Sequence, residues 1–469
     1  MMQELTAFVE QIGAIVWGPF ILMPLLLGTG IYLLFCLRGL QITQLGPAFK
    51  RLYKSISHKG EEGEISPFEA LMTGLAGTLG TGNIVGVATA IYLGGPGAVF
   101  WMWITGFLGM GIKYCEATLA VKYREVSPDG SYVGGPMYYI RNGLGRKWMP
   151  LAVFFAISGA IASFGIGNLT QTNAIASNMV AALDIQTVSF GGAVLPGSWI
   201  VAILLFVFGT AVIVGGVKRI GHLAGLVVPF MVIIYLAMGL YAIISHWALV
   251  PGLFKTIFLE AFGIGSAAGG LTGAALRRTI QMGMARGMFS NEAGLGSSPI
   301  VHAATTETNP VKQGFLGMVD PFLDTLFVCT ITALLILISG EWSTAGAGAS
   351  MGTLTAQSFE FAFPGFGQYV VSFALLFFAF TTLMAWSVYG DRCVRFLFGD
   401  KWSKPYLIFF CLIIPVGAVV ELDFVWAFAD MANGLMALPN LIALLLLSPV
   451  VVKLTNDFLA EEKKRNLSK

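Results

Sequence analysis

Apolar residues run along this chain in blocks of about 20, the length an α-helix needs to cross the ~30 Å hydrocarbon core of a bilayer. The blocks recur from end to end of the 469 residues, separated by short polar segments. Eleven spans can be drawn, near 13–37, 67–94, 97–121, 150–182, 198–216, 221–246, 253–276, 313–340, 365–390, 404–422 and 424–452. Only helices and closed barrels satisfy their own backbone in lipid, and runs of this length favour helices. The expected fold class is all-α integral membrane. Residues 1–12 carry Glu4 and Glu10 and no Lys or Arg, so the first block is not expected to be a signal peptide.

Composition agrees with the pattern. Hydrophobic residues make up 56% and charged residues 11%, against about 25% charge in a soluble domain. Soluble enzymes, nucleic-acid binders and secreted disulfide scaffolds are excluded on this ground. The lipid bilayer is the expected surrounding, and a net charge of +2 implies no acidic partner. The five cysteines have no paired spacing.

Charge then orients the spans. With the N-terminus outside and the C-terminus cytoplasmic, the inner segments hold 25 of the 27 Lys and Arg residues, as the positive-inside bias requires. The outer loops 183–197 and 341–364 hold none.

Glycine interrupts two of the spans. Thr73–Ile91 carries Gly74, Gly77, Gly80, Gly82 and Gly86, and Phe262–Gly273 carries Gly263, Gly265, Gly269, Gly270 and Gly273. Each glycine costs roughly 1 kcal/mol in a helix interior relative to alanine. Close packing of small residues is one explanation, since Gly82/Gly86 and Gly265/Gly269 are four apart. The other is an unwound midplane segment whose free N–H and C=O groups meet a substrate. Position favours the second. The clusters open two five-span halves, 67–252 and 253–452, which an odd span number orients oppositely; 1–66 and 453–469 flank them. Broken first helices in inverted halves point to the site of a secondary transporter.

The stretch Gly94-Gly95-Pro96-Gly97-Ala98-Val99-Phe100-Trp101-Met102-Trp103-Ile104-Thr105-Gly106-Phe107-Leu108-Gly109 resembles the signature of the sodium:alanine symporters, the alanine or glycine:cation symporter family of prokaryotes. GTLGTGNIVGVATAI and FSNEAGLGSSPIVHAA resemble further hallmark segments. The resemblance implies a leucine-transporter-like core of two inverted five-helix repeats behind one extra N-terminal helix. It implies sodium-coupled uptake of a small neutral amino acid, alanine or glycine, with D-alanine a further candidate. It also implies a multi-pass protein of the prokaryotic inner membrane. A proton-coupled permease is the nearer alternative and a channel the more distant one.

Site residues follow from the same resemblance. Gly80-Thr81-Gly82-Asn83 is similar to the Gly-x-Gly-Asn element of leucine-transporter-type folds. The N–H groups near Gly80–Gly82 would hold the substrate carboxylate, with Asn83 beside them and Gly265, Gly269 and Gly270 opposite. Gln171 would meet the ammonium. By spacing alone, Phe164, seven residues before Gln171 on roughly the same face, and Trp386, four after Thr382, read as closing the pocket or as core packing. Thr381 and Thr382, with the carbonyls of Ala76 and Leu79, would bind sodium. Asn168 and Asn173 read as interhelical amides.

The remaining charged residues read as structural. Lys113 and Glu116, three apart, are expected to neutralise each other on one helix face. Asp320 and Asp324, four apart, are expected at the inner end of their span, anchoring it or pairing with an inner-loop Arg, with a proton-relay role as the alternative. Asp430 is a further candidate ion ligand. Residues 277–308 read as an amphipathic helix and glycine-rich turn, a connector or a cytoplasmic gate. Enzymatic function is not expected. No G-x-x-x-x-G-K-[ST] occurs, Gly263–Ala268 matches a dinucleotide fingerprint without βαβ context, and none of the four histidines has an evident nucleophile or metal partner.

Overall fold

The computed structural model describes residues 2–18, 20–56, 64–190, 193–264, 273–344, 351–420 and 422–467. They form a bundle of helices with two short antiparallel hairpins. One pairs Glu125 with Val133 and Val126 with Tyr132; the other pairs strands Thr187–Phe190 and Ala193–Pro196. Among the described residues six helices are long and apolar enough to cross a membrane, and a bent pair makes a seventh span. Leu22–Cys36 and Ser198–Ile213 are apolar but only 15 and 16 residues long. The drawn total of eleven is therefore not reproduced as such, although the multi-pass, all-helical class is.

The first broken helix starts at Pro67. Ser66 Oγ accepts from the Glu69 N–H at 3.2 Å, and a Glu69 carboxylate oxygen accepts from the Ser66 N–H at 2.8 Å. This capping box, with proline at the first helical position, begins the helix cleanly. It runs Pro67–Thr78, breaks, and resumes as a wide turn Gly82–Gly86 and the helix Val87–Gly94, bent by 49°.

The second broken helix is not where the glycine pattern put it. Val250–Ala261 has 12 residues, about 18 Å, too short for the span drawn over 253–276. It ends in a Schellman turn: Gly263 has φ +71°, its N–H reaches the Glu260 carbonyl, and the Ile264 N–H reaches Leu259. Gly265, Gly269 and Gly270 lie outside the described residues. The helix that breaks is Gly273–Asn291, which stops at Glu292 and resumes as Ser298–His302. Positive φ at Glu292 (+54°), Gly294 and Gly296 turns the chain out of the helix.

Residues 283–305 are buried throughout, so the segment 277–308 is neither a surface connector nor amphipathic in its second half. It packs closely on Ala98–Lys122: a Cβ on Gly283 would meet the Ala98 carbonyl at 2.3 Å, and one on Gly287 the Thr105 hydroxyl at 2.1 Å. Small residues at a helix crossing allow this approach. Thr279 donates to the Gly94 carbonyl at 2.7 Å, which sets the start of this helix beside the far end of the first broken helix. Arg277, Arg278 and Arg286 therefore lie on the side away from Ser66. Three of the 25 basic residues expected at the Ser66 end are therefore not there.

Candidate functional site

The two breaks face one another in the middle of the bundle. A Cβ on Gly82 would lie 2.9 Å from the Ser290 Cα, so glycine is required for the helices to meet there. Thr81, Asn83, Gln171, Ser290, Thr381, Thr382 and Trp386 are all buried.

At the first break the helix leaves N–H and C=O groups without helical partners. Gly80 N–H donates to Asn83 Oδ1 at 3.0 Å, and Thr81 N–H donates to Gln171 Oε1 at 3.2 Å. Gln171 Nε2 donates to the Ile166 carbonyl at 2.8 Å and reaches Thr81 Oγ1 at 3.3 Å. The wide turn Gly165–Leu169 presents that carbonyl. On the carbonyl side, Thr382 Oγ1 stands 2.8 Å from the Ala76 oxygen, 3.2 Å from Leu79 and 2.9 Å from Phe378. Thr381 donates back to Phe378 at 2.9 Å. Four oxygens thus converge at the break: Thr382 Oγ1 and the carbonyls of Ala76, Leu79 and Phe378.

Other expected site residues are placed differently. Phe164 turns away from the break and packs edge-on against Tyr406 and Phe409 and tilted against Phe410 on the helix Ser403–Gly417. Trp386 is buried against Gly167 and Tyr389, and its Nε1 donates to Glu292 Oε1 at 2.7 Å. It therefore braces the second break. Asn168 and Asn173 donate to the Phe410, Gly417 and Val420 carbonyls, as interhelical amides should.

The carboxylates depart most from expectation. Lys113 does not pair with Glu116. Its Nζ reaches Asp320 at 3.0 Å and Ser298 Oγ at 2.8 Å, because another helix places a carboxylate on the buried face. Glu116 instead accepts from Asn440 Nδ2 at 2.6 Å and from the Gly294 N–H at 3.1 Å. Asp320 and Asp324 are fully buried inside the bundle, and neither pairs with an arginine among the described residues. Asp324 accepts from Asn83 Nδ2 at 2.6 Å, Ser290 Oγ at 2.8 Å and Thr325 Oγ1 at 2.7 Å. Asp430 pairs with Arg286 near the end opposite Ser66. In the sequence these residues read mainly as structural, although an ionisable residue inside a membrane span is a functional candidate by default.

At the Ser66 end a cleft of about 230 Å3 is lined by Glu64, Asp129, Lys218, Asp391, Arg392 and Arg395, among others. Arg392 pairs with Glu64 at 3.2 Å, and Arg395 with Asp391 at 3.0 Å and Asp129 at 2.9 Å. Burial raises the Glu64 carboxyl above its ordinary range against the pull of Arg392. The Ser131 hydroxyl bond holds Asp129 down to about 2.

The profile of the sodium:alanine symporter family matches residues 2–469. The sodium/alanine symporter AgcS of Methanococcus maripaludis is 45% identical over 99% of both chains. The probable sodium/glutamine symporter GlnT of Bacillus subtilis is 37% identical, covering 99% of this chain and 92% of its own. Among solved structures, MhsT in complex with L-phenylalanine superposes with a TM-score of 0.56 at 12% identity, over 84% of this chain and 99% of that one. That likeness is one of fold, of the leucine-transporter type. With its whole length matched, this chain belongs to the sodium:alanine symporter family, whose members are transporters and not enzymes.

Proposed function

We propose that this protein carries small neutral amino acids, alanine or glycine, into a prokaryotic cell together with sodium, by alternating access around the first break. One observation carries the reading. The Thr382 hydroxyl meets the Ala76 and Leu79 carbonyls, the oxygen set a small alkali cation takes from an unwound helix. Thr381 joins that set only by turning its hydroxyl away from Phe378. A substrate carboxylate takes the Gly80 and Thr81 N–H groups from the amide oxygens of Asn83 and Gln171. These exchange one acceptor for another, so little polar satisfaction is lost. The wall is tight: a Cβ on Gly80 would sit 2.6 Å from Thr382 Oγ1. That favours a substrate with little side chain. Binding of ion and substrate at one break makes each favour the state that holds the other. The basic Ser66 end is cytoplasmic, with the N-terminus outside and the C-terminus in.

One observation favours a proton-coupled version: the buried carboxyls of Asp320, Glu292 and Glu116 lie near the buried Lys113, and Asp324 is buried near Asp320. Uptake of labelled alanine into proteoliposomes under imposed sodium, potassium or proton gradients separates the two. Sodium-driven, saturable accumulation is expected. Accumulation under a proton gradient alone overturns the sodium assignment, and unsaturable flux overturns the transporter reading in favour of a channel.

A further inference from the structure

Lys113 is the one buried lysine among the described residues. Its ammonium donates to Asp320 Oδ2 and Ser298 Oγ, and the other Asp320 oxygen accepts from Thr78 Oγ1 at 3.0 Å. Thr78 is the last residue of the half-helix Pro67–Thr78, and Ser298 the first of the half-helix Ser298–His302. One ion pair therefore fastens the break-facing ends of both half-helices on the basic side. The anchors are two long spans, Ala98–Lys122 and Pro310–Ser339. A half-helix has no backbone ladder across its break, so such side-chain bonds fix where it sits.

A second observation suggests that this arrangement is one of two. His302 is fully buried, its Nδ1 is 2.7 Å from Gln313 Nε2, and its Nε2 has no partner. That nitrogen faces Gly74 and Gly317, whose added Cβ atoms would lie 3.5 and 3.6 Å away. An unmet buried polar atom is costly, and at Gly317 the packing is tight, an added Cβ meeting the Ala117 Cβ at 2.8 Å, so satisfying His302 Nε2 requires the half-helix to shift on its neighbours.

We propose that Lys113 and Asp320 form a latch that holds the basic-side halves of both broken helices closed. Letting go of Thr78 and Ser298 then accompanies opening of the site to the cytoplasm. The proposal rests on the transporter reading and gives Lys113 a positioning role.

The test uses Val388→Cys, at the basic-side cleft, in the full-length protein in inside-out vesicles without sodium. Its labelling by a membrane-impermeant maleimide is compared with that of the parent. Lys113→Met with Asp320→Asn removes both partners of the ion pair together, so neither is left buried without the other. Labelling roughly tenfold faster than with the latch intact is expected, within the range of conformational couplings. Ser298→Ala, too small a change to threaten folding, should shift labelling the same way by less, and it decides the matter if the double variant is not recovered. Unchanged labelling rates, with only a lower melting temperature, overturn the latch. Failure of the transporter reading looks different: labelling of the parent would ignore sodium and alanine, and no uptake would be seen.

Discussion

Between Thr78 and Gly82 the first broken helix closes its loose N–H groups with the neutral amides of Asn83 and Gln171 and turns carbonyls toward Thr382. Between Asn291 and Ser298 the second adds carboxylates to its amides: Asn291 Oδ1 takes the Ala293 N–H at 2.9 Å, but the next bonds go to charged groups. Glu116 takes the Gly294 N–H, and Glu292 is held by Ser297 Oγ at 2.5 Å and by Trp386. Neutral amides give up a backbone donor to an incoming carboxylate without leaving a bare charge. A carboxylate inside a membrane bundle cannot, because an unpaired buried ion is far more costly than an unpaired amide. On the proposed reading, the exchangeable backbone donors belong to the first break, while the carboxylate-held turn of the second keeps its bonds through the cycle.

The sharpest way to break this contrast is Gly80→Ala. The added methyl would meet Thr382 Oγ1 at 2.6 Å and Gln171 Oε1 at 3.0 Å, both of which the proposed ligands need. Sodium-dependent alanine binding to purified, monodisperse protein should fall below detection. Retained binding would put the site elsewhere. Next in size is the pair Thr382→Ala and Thr381→Ala. Thr382 touches both break carbonyls, while Thr381 bonds only within its own helix. Removing one buried polar partner costs about 1–3 kcal/mol, or roughly 5- to 150-fold in the half-saturating sodium concentration. That rise is expected for Thr382→Ala, with a much smaller one for Thr381→Ala. Equal effects would mean that the two hydroxyls share the ion.

The first break was legible because its cause is local. Glycines at 77, 80 and 82 weaken the helix where it opens, and Gly80-Thr81-Gly82-Asn83 carries the family resemblance. The second was misplaced because its cause is tertiary. Helix Gly273–Asn291 ends at a non-glycine residue, Glu292, held at φ +54° by bonds from Ser297 and from the distant Trp386. Gly294 and Gly296 mark a turn beside it, but the richer glycine run at 263–273 drew the break there. The Lys113 pairing failed for a related reason. Three-residue spacing governs an exposed helix face, but within a bundle Asp320 arrives from another helix and wins. Phe164 was read by its spacing to Gln171, yet the wide turn Gly165–Leu169 between them rotates it toward Tyr406.

The smallest expected effect tests the frame itself. Glu116→Gln keeps the shape of the side chain and removes its charge. A glutamine offers one acceptor oxygen where Glu116 Oε1 now serves both the Asn440 amide and the Gly294 N–H. Its new NH2 group gains only the space around Oε2, which has no partner in the protein. One charge-assisted bond is weakened without leaving an ion stranded, so stability should drop by about 1–3 kcal/mol, a few degrees in melting temperature for a protein of this size. The half-saturating sodium concentration should stay within about twofold, because no first-break ligand touches Glu116. Thermal melting and sodium titration on the same sample measure the two quantities together. A sodium shift larger than the stability loss would show that the second break is also exchangeable, and the contrast between the breaks would collapse.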